Sequence, residues 1–255
     1  MKPVTSYIIA SVQRSGTHLL CNILRSTEVA ASPGEYFLCR PGETWEERWG
    51  TSSRGAYLER VLQQNTSPSG VFGVVAMWSY FDRMLQMLQQ IPTYKDLTGS
   101  GLLAAVFHEP KYIWMRRRNR VEQAVSWAIA CQTGVWAKKM GAKPKPRATP
   151  QFDFKVIDEW CNRIAEHEAG WENYFCENQI EPLVLFYEDM VESRRATAKR
   201  VLEFLGLPFP SAIEIAPPSF QRQATQMSDE WAASYLKEKR KRSGKLARIL
   251  RRVRI

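Results

Sequence analysis

Residues 7–20, YIIASVQRSGTHLL, decide the fold. The first five are apolar or small and include two isoleucines, the composition of a strand buried on both faces. Gln13-Arg14-Ser15-Gly16-Thr17 follows, and then Leu19, Leu20, Ile23 and Leu24 fall at helical spacing. Strand, tight turn and helix in so short a span open a parallel α/β unit. Working outward, 73–77 (GVVAM) and 112–115 (YIWM) read as further buried strands, followed by helical periodicity over 80–88 and 121–129. An amphipathic stretch covers 156–175, LVLFY at 183–187 reads as a strand, and 198–205 reads as a helix stopped by Gly206 and Pro208. Alternation of this kind implies an α/β fold, a parallel sheet flanked by helices on both faces.

The chain has 255 residues, 44% hydrophobic and 24% charged, which is ordinary for a soluble globular protein. No apolar run approaches the length of a membrane span, and the first residues lack the apolar core of a signal peptide. Cys21, Cys39, Cys131, Cys161 and Cys176 are odd in number and show no C-x-x-C pair. That argues against a disulfide framework or a zinc site, and a reducing, cytoplasmic setting is expected. The net charge of +10 is unevenly spread: residues 237–255 hold ten Lys/Arg and one Glu, whereas 1–236 hold 26 basic and 25 acidic side chains. A nearly neutral body offers no basic footprint for nucleic acid. The charge divides the chain into a domain over 1–236 and a basic tail over 237–255. Leu246, Ile249, Leu250 and Val253 in that tail fall at i, i+3, i+4 and i+7. They read either as a basic amphipathic helix peripheral on an anionic membrane or as a solvated, frayed terminus.

Three segments carry chemistry. In the first turn, Ser15 and Thr17 offer hydroxyls, Gly16 permits close backbone approach, the helix N-terminus favours an anion and Arg14 adds a positive fork. The pattern is not a Walker A, since no GK[ST] is present. The plainer alternative is a helix N-cap by Ser15 or Thr17. The second segment is Arg116-Arg117-Arg118-Asn119-Arg120 at the end of a buried strand, with Ser126 eight residues beyond Arg118. It suits a second phosphate, the alternative being a solvated charge run. The third, Arg222-Gln223-Ala224 and then Ser228-Asp229-Glu230-Trp231, reads as a polar loop before a helix. Two loop-like stretches, 41–70 with a helical patch at 57–62 and the lysine-rich 138–150, suit lids or disorder. His18 adjoins the first turn; His108 and His167 show no ligand spacing, and no metal site is expected.

QRSGTHLL, GEYF at 34–37, GVFGVVAMWSYF, RRRNRVEQAVSWAIACQTGVW, LVLFYEDM and RQATQMSDEW occur in that order. Together they resemble the bacterial trehalose 2-sulfotransferase family of the PAPS-dependent sulfotransferases, over roughly residues 7–235. The resemblance implies a P-loop-like fold and binding of 3′-phosphoadenosine 5′-phosphosulfate (PAPS). Its 5′-phosphosulfate maps onto Arg14, Ser15, Gly16 and Thr17, with His18 beside it. Its 3′-phosphate maps onto Arg118 and Ser126, completed by Arg222 and Gln223. Glu35, before the aromatic pair, matches the family's general base, and Arg14 is implied to stabilise the transferring group. The implied activity is direct in-line transfer of a sulfuryl group to a hydroxyl of a carbohydrate or glycolipid, by a homodimer. Where the family carries Lys in G-x-K-x-M-W, this chain has Val75, which sets trehalose itself in question as acceptor. A nucleotide-dependent kinase and a non-enzymatic membrane-associated protein are the competing classes.

Overall fold

The computed structural model describes residues 3–38, 44–137, 141, 145–210, 214–217 and 225–253, with backbone alone at 45 and 245–253. In chain order the elements are β1 (Thr5–Ser11), α1 (Thr17–Arg25), α2 (Trp45–Trp49), α3 (Arg54–Asn65), β2 (Val71–Met77), α4 (Trp78–Gln89), a 3-10 turn (Pro92–Tyr94), α5 (Gly99–Phe107), β3 (Lys111–Arg116), α6 (Arg120–Thr133), α7 (Phe154–Glu177), β4 (Leu183–Phe186), α8 (Tyr187–Glu192), α9 (Arg194–Leu205) and α10 (Gln226–Val253). They form two compact units, Met1–Arg118 with His167–Ser219, and Asn119–Glu166 with Phe220–Ile255.

The first unit is built on a parallel sheet of order β2-β1-β3-β4. Successive residues of a strand point to opposite faces, so the register sorts the core into two layers. Tyr7, Ile9, Val75, Ile113, Met115 and Leu185 pack against Leu20, Ile23 and Leu24 of α1 and Ala198, Val201 and Leu202 of α9. On the opposite face, Phe72 stacks on Phe107 of α5, and Tyr112 and Trp114 meet Phe175 of α7 edge-on. Phe175 continues through Trp171 to Phe81 of α4. Helices therefore cover both faces, as the alternation implies. Trp171, fully buried, also donates its indole N–H to Ser11 O at 2.8 Å, pinning the carboxyl end of β1.

In the second unit α6, the residues of α7 up to 166 and α10 contribute helical faces. The Asn119 side chain caps α6 by accepting from the Glu122 N–H at 3.1 Å. Trp127 of α6 stacks on Trp160 of α7, and Phe154 stacks on Tyr235 of α10. Tyr235 OH donates to Asp158 Oδ1 at 2.6 Å, and Lys239 bonds the same oxygen.

Several elements differ from the sequence reading. Tyr187 opens α8 rather than ending a strand, because Glu188 and Asp189 in the first turn complement the positive end of a helix. The stretch 41–70 contains α2 and α3, started by a Thr44–Glu47 capping box and by Ser53 accepting from the Ala56 N–H. Helix α5 was not anticipated: its run is short and almost wholly apolar, so periodicity is silent. At 138–150, the described Arg147 N–H returns to Thr133 O at 2.9 Å, fastening that residue to the end of α6. The 236/237 boundary drawn by charge falls inside one continuous helix, α10; Lys and Arg are good helix formers and do not interrupt it.

Candidate active site

In an open parallel sheet, ligands bind beyond the carboxyl ends of the strands where the strand order reverses. Here β1 leads to β2 on one side while β3 lies on the other, so the switch point is between β1 and β3. The segments 13–17 and 116–118 leave those two strand ends.

The first segment turns tightly. The Ser15 N–H donates to Val12 O at 3.3 Å, and Arg14 sits in the left-handed region at φ 66°. That conformation suits glycine and costs a side-chain-bearing residue roughly 1–3 kcal/mol, a strain concentrated at functional positions. Gly16 follows at φ 101°, and a Cβ there would lie 2.5 Å from Tyr187 Cδ2, so the Tyr187 ring rests directly on the turn. Gly16 is the N-cap of α1, with no side-chain capping bond. The N-cap alternative for Ser15 and Thr17 is thereby replaced: Ser15 Oγ is 2.5 Å from Ser11 Oγ, and Thr17 is the first helical residue. The start of α1 offers backbone amides that no side chain caps, with Arg14 beside them. That is the donor set an anion requires.

At the second segment the arginines stand in a ladder of rings and acids. Arg116 stacks 4.3 Å from the Trp114 centroid and places Nε and Nη2 each 3.3 Å from Glu168. Arg117 lies 4.8 Å from the Tyr187 centroid, with Nε 3.9 Å from Glu188 Oε1. Arg118 is half-exposed over the Phe186 ring, its two Nη atoms 2.5 and 2.9 Å from Asp189. Its backbone N–H donates to Glu188 Oε2 at 3.1 Å. Hydrogen bonds from Arg118 hold the Asp189 carboxyl below its usual range. These arginines are an organised array rather than a solvated run, and Arg118 presents the planar fork that takes a carboxylate or a phosphate alike. Tyr187 joins the two segments, with its ring against Gly16 and under Arg117.

Glu35 arrives from a third direction. The Val75 N–H donates to Gly34 O at 2.9 Å, seating the segment as an extra rung along β2. Tyr36 stacks on Phe72, and Phe37 is buried between Tyr57 and Phe107. The aromatic pair thus anchors the loop to the core. Half-buried Glu35 accepts from Tyr80 OH at 3.1 Å and acts electrostatically on His18 and Cys21 of α1. Loss of hydration lowers the proton affinity of His18; Glu35 opposes this and Arg14 reinforces it. Burial, with Glu35 acting in the same sense, pushes the Cys21 thiol up to about 12. Arg14, His18 and Glu35 therefore share one neighbourhood, although 17 residues separate the imidazole from the carboxylate in sequence.

Ser126 lies in α6, in the second unit, and Arg222 and Gln223 fall outside the described residues. Among the described residues no group of His, Cys, Asp or Glu is arranged to hold a metal. Tyr80, Tyr187, Glu188 and Asp189 escaped the sequence reading. Each lies just beyond the carboxyl end of β2 or β4, and that placement is the signal that would have found them.

Comparison with known proteins bears directly on this neighbourhood. The trehalose 2-sulfotransferase of Mycobacterium tuberculosis (strain ATCC 35801 / TMC 107 / Erdman) is 30% identical over 268 residues, spanning 93% of this chain and 96% of that protein. That of Mycolicibacterium smegmatis (strain ATCC 700084 / mc(2)155) is 29% identical over 263 residues, spanning 92% and 95%. Among solved structures, the sulfotransferase domain from the curacin biosynthetic pathway is 15% identical with a TM-score of 0.45, and 89% of this chain and 83% of that one are covered. The family model for Stf0 sulphotransferases matches residues 6–238, taking in both arginine-bearing turns and Glu35. The first turn, which lacks a Walker lysine, is thus part of a sulfotransferase, and the chain belongs to the Stf0 sulphotransferase family.

Proposed function

We propose that the protein transfers the sulfuryl group of PAPS to a hydroxyl of a sugar or glycolipid, with Glu35 as general base. What carries this reading is that Glu35 and Arg14 both act electrostatically on His18, at the start of α1. The donor's 5′ end fits Arg14, Ser15, Gly16, Thr17 and His18, because the start of α1 has no side-chain cap. Its 3′-phosphate fits the fork of Arg118, and the family resemblance assigns Ser126, Arg222 and Gln223 to the same phosphate. PAPS supplies an activated sulfuryl group whose partner on departure is adenosine 3′,5′-bisphosphate.

In one displacement the acceptor oxygen bonds to sulfur, the bond from sulfur to the 5′-phosphate oxygen breaks, and the hydroxyl proton passes to Glu35. Arg14 and the first-turn amides neutralise charge on the sulfuryl oxygens and the departing phosphate. The relatives' names support a sugar acceptor such as trehalose. Val75 is buried and apolar, so this strand position supplies no cation to the acceptor. The same reading has the enzyme cytoplasmic and dimeric, with the basic end of α10 resting on an anionic membrane. Among the described residues no helix is long and apolar enough to cross a membrane.

Incubation with radiolabelled PAPS and trehalose, or a panel of mono- and disaccharides, tests the reading. Glu35→Gln is expected to lower kcat by about 10²–10⁴-fold while leaving adenosine 3′,5′-bisphosphate affinity unchanged. Equal turnover by the two proteins would remove Glu35 from catalysis.

A further inference from the structure

Glu35 is a carboxylate on a loop, and a terminal carboxylate torsion is broad and intrinsically unselective. A general base has to be held within a fraction of an ångström of its working position. The described structure provides a group that can do this. Tyr80 is the third residue of α4, so its backbone is fixed by the helix that leaves β2, and its phenol donates to Glu35 Oε2 at 3.1 Å.

We propose that Tyr80 is the positioning residue of this carboxylate, fastening Glu35 Oε2 so that Oε1 receives the acceptor's hydroxyl proton. The inference rests on the reading of Glu35 as general base. Three further observations agree with it. Burial, reinforced by Glu35, raises the proton affinity of the Tyr80 phenol well above its ordinary value, so the phenol stays a donor through the working pH range. Other titratable groups that act with Glu35 include His18 and Cys21, both on α1, with Arg14 acting on His18 from the first turn. His18 is lowered and Cys21 raised. The hydrogen bond from α4 fixes one oxygen of the carboxylate to a helix. Finally, Val75 on the adjoining strand is buried and apolar and brings no ammonium group to compete for it.

Tyr80→Phe tests the proposal with readouts that a packing role would not move. The protein is labelled at the glutamate side-chain carboxyl carbon, and the Glu35 resonance is assigned by its loss in Glu35→Gln. In Tyr80→Phe its titration midpoint should rise, because the ionised carboxylate loses a donor. Affinity for adenosine 3′,5′-bisphosphate should stay within about twofold of the parent. With trehalose as the acceptor probe, kcat should fall about tenfold at nearly unchanged KM, and the acid limb of the pH profile should move upward. An unchanged midpoint overturns the proposal. If Tyr80→Phe fails to fold, 3-fluorotyrosine at position 80 keeps the size and strengthens the donor. The midpoint should then fall, and one that stays put also overturns the proposal. Failure of the parent protein to bind the bisphosphate would instead sink the PAPS reading, while the carboxyl titration still judges Tyr80 separately.

Discussion

At the scale of single residues, Arg14 combines a strained backbone with the role proposed for it in holding the donor. Its φ of 66° places an arginine where glycine is at ease, and the surrounding turn holds it there. Arg14→Gly should therefore raise the melting temperature, by roughly 2–6 °C for about 1–2 kcal/mol of relieved strain in a chain of this size. The same substitution should abolish measurable sulfuryl transfer, because the positive fork beside the first amides is gone. Parallel thermal denaturation and activity assays decide it. A melting temperature that falls would mean that Arg14 supports the fold. The sequence made Arg14 legible as a charged turn residue but not as a strained one, since strain depends on the backbone path out of β1. Tyr80 was illegible for another reason: its partner lies 45 residues away, and a tyrosine opening a helix has no signature as a positioning group.

Among the elements, α8 shows how a short segment can organise a site without a motif of its own. Six residues supply the ring that closes over Gly16 and the two acids that hold Arg117 and Arg118. Periodicity could not reveal it, because a strand of four residues runs into a helix with no intervening turn. The β1–turn–α1 unit, by contrast, was readable from residues 7–24, as its composition, turn chemistry and spacing agree. In the second unit, α7 and α10 are clasped through Asp158, which bonds Lys239 and Tyr235. Hydrogen bonds from Lys239 first and Tyr235 second hold the Asp158 carboxyl below its ordinary range. A depressed carboxyl contributes stability above the unfolded-state value near pH 4 and loses it as pH falls through the folded value. The melting temperature of the parent should thus exceed that of Asp158→Asn at pH 6, with the gap closing as the pH is taken toward 3. A gap independent of pH would assign the clasp to packing alone.

For the whole molecule, strand and helix alternation was enough to specify a parallel sheet covered on both faces, because each buried strand is a nearly continuous apolar run. What alternation does not contain is strand order. The order β2-β1-β3-β4 makes β1 and β3 neighbours, which puts their arginine-bearing ends side by side. The basic run over 237–253 belongs to the same helix, α10, as the residues before it. The kinase alternative failed on the absent Walker lysine, and membership of a sulfotransferase family agrees with that exclusion. In the proposed function the two arginine-bearing ends serve one donor carrying two separated phosphate groups. Calorimetric titration of the intact protein with adenosine 3′,5′-bisphosphate, with AMP and ATP as comparison ligands, tests it most directly. The bisphosphate should bind at least tenfold more tightly than AMP or ATP, and Arg14→Ala and Arg118→Ala should each weaken it. Equal affinity for AMP and the bisphosphate, or preference for ATP, would contradict it.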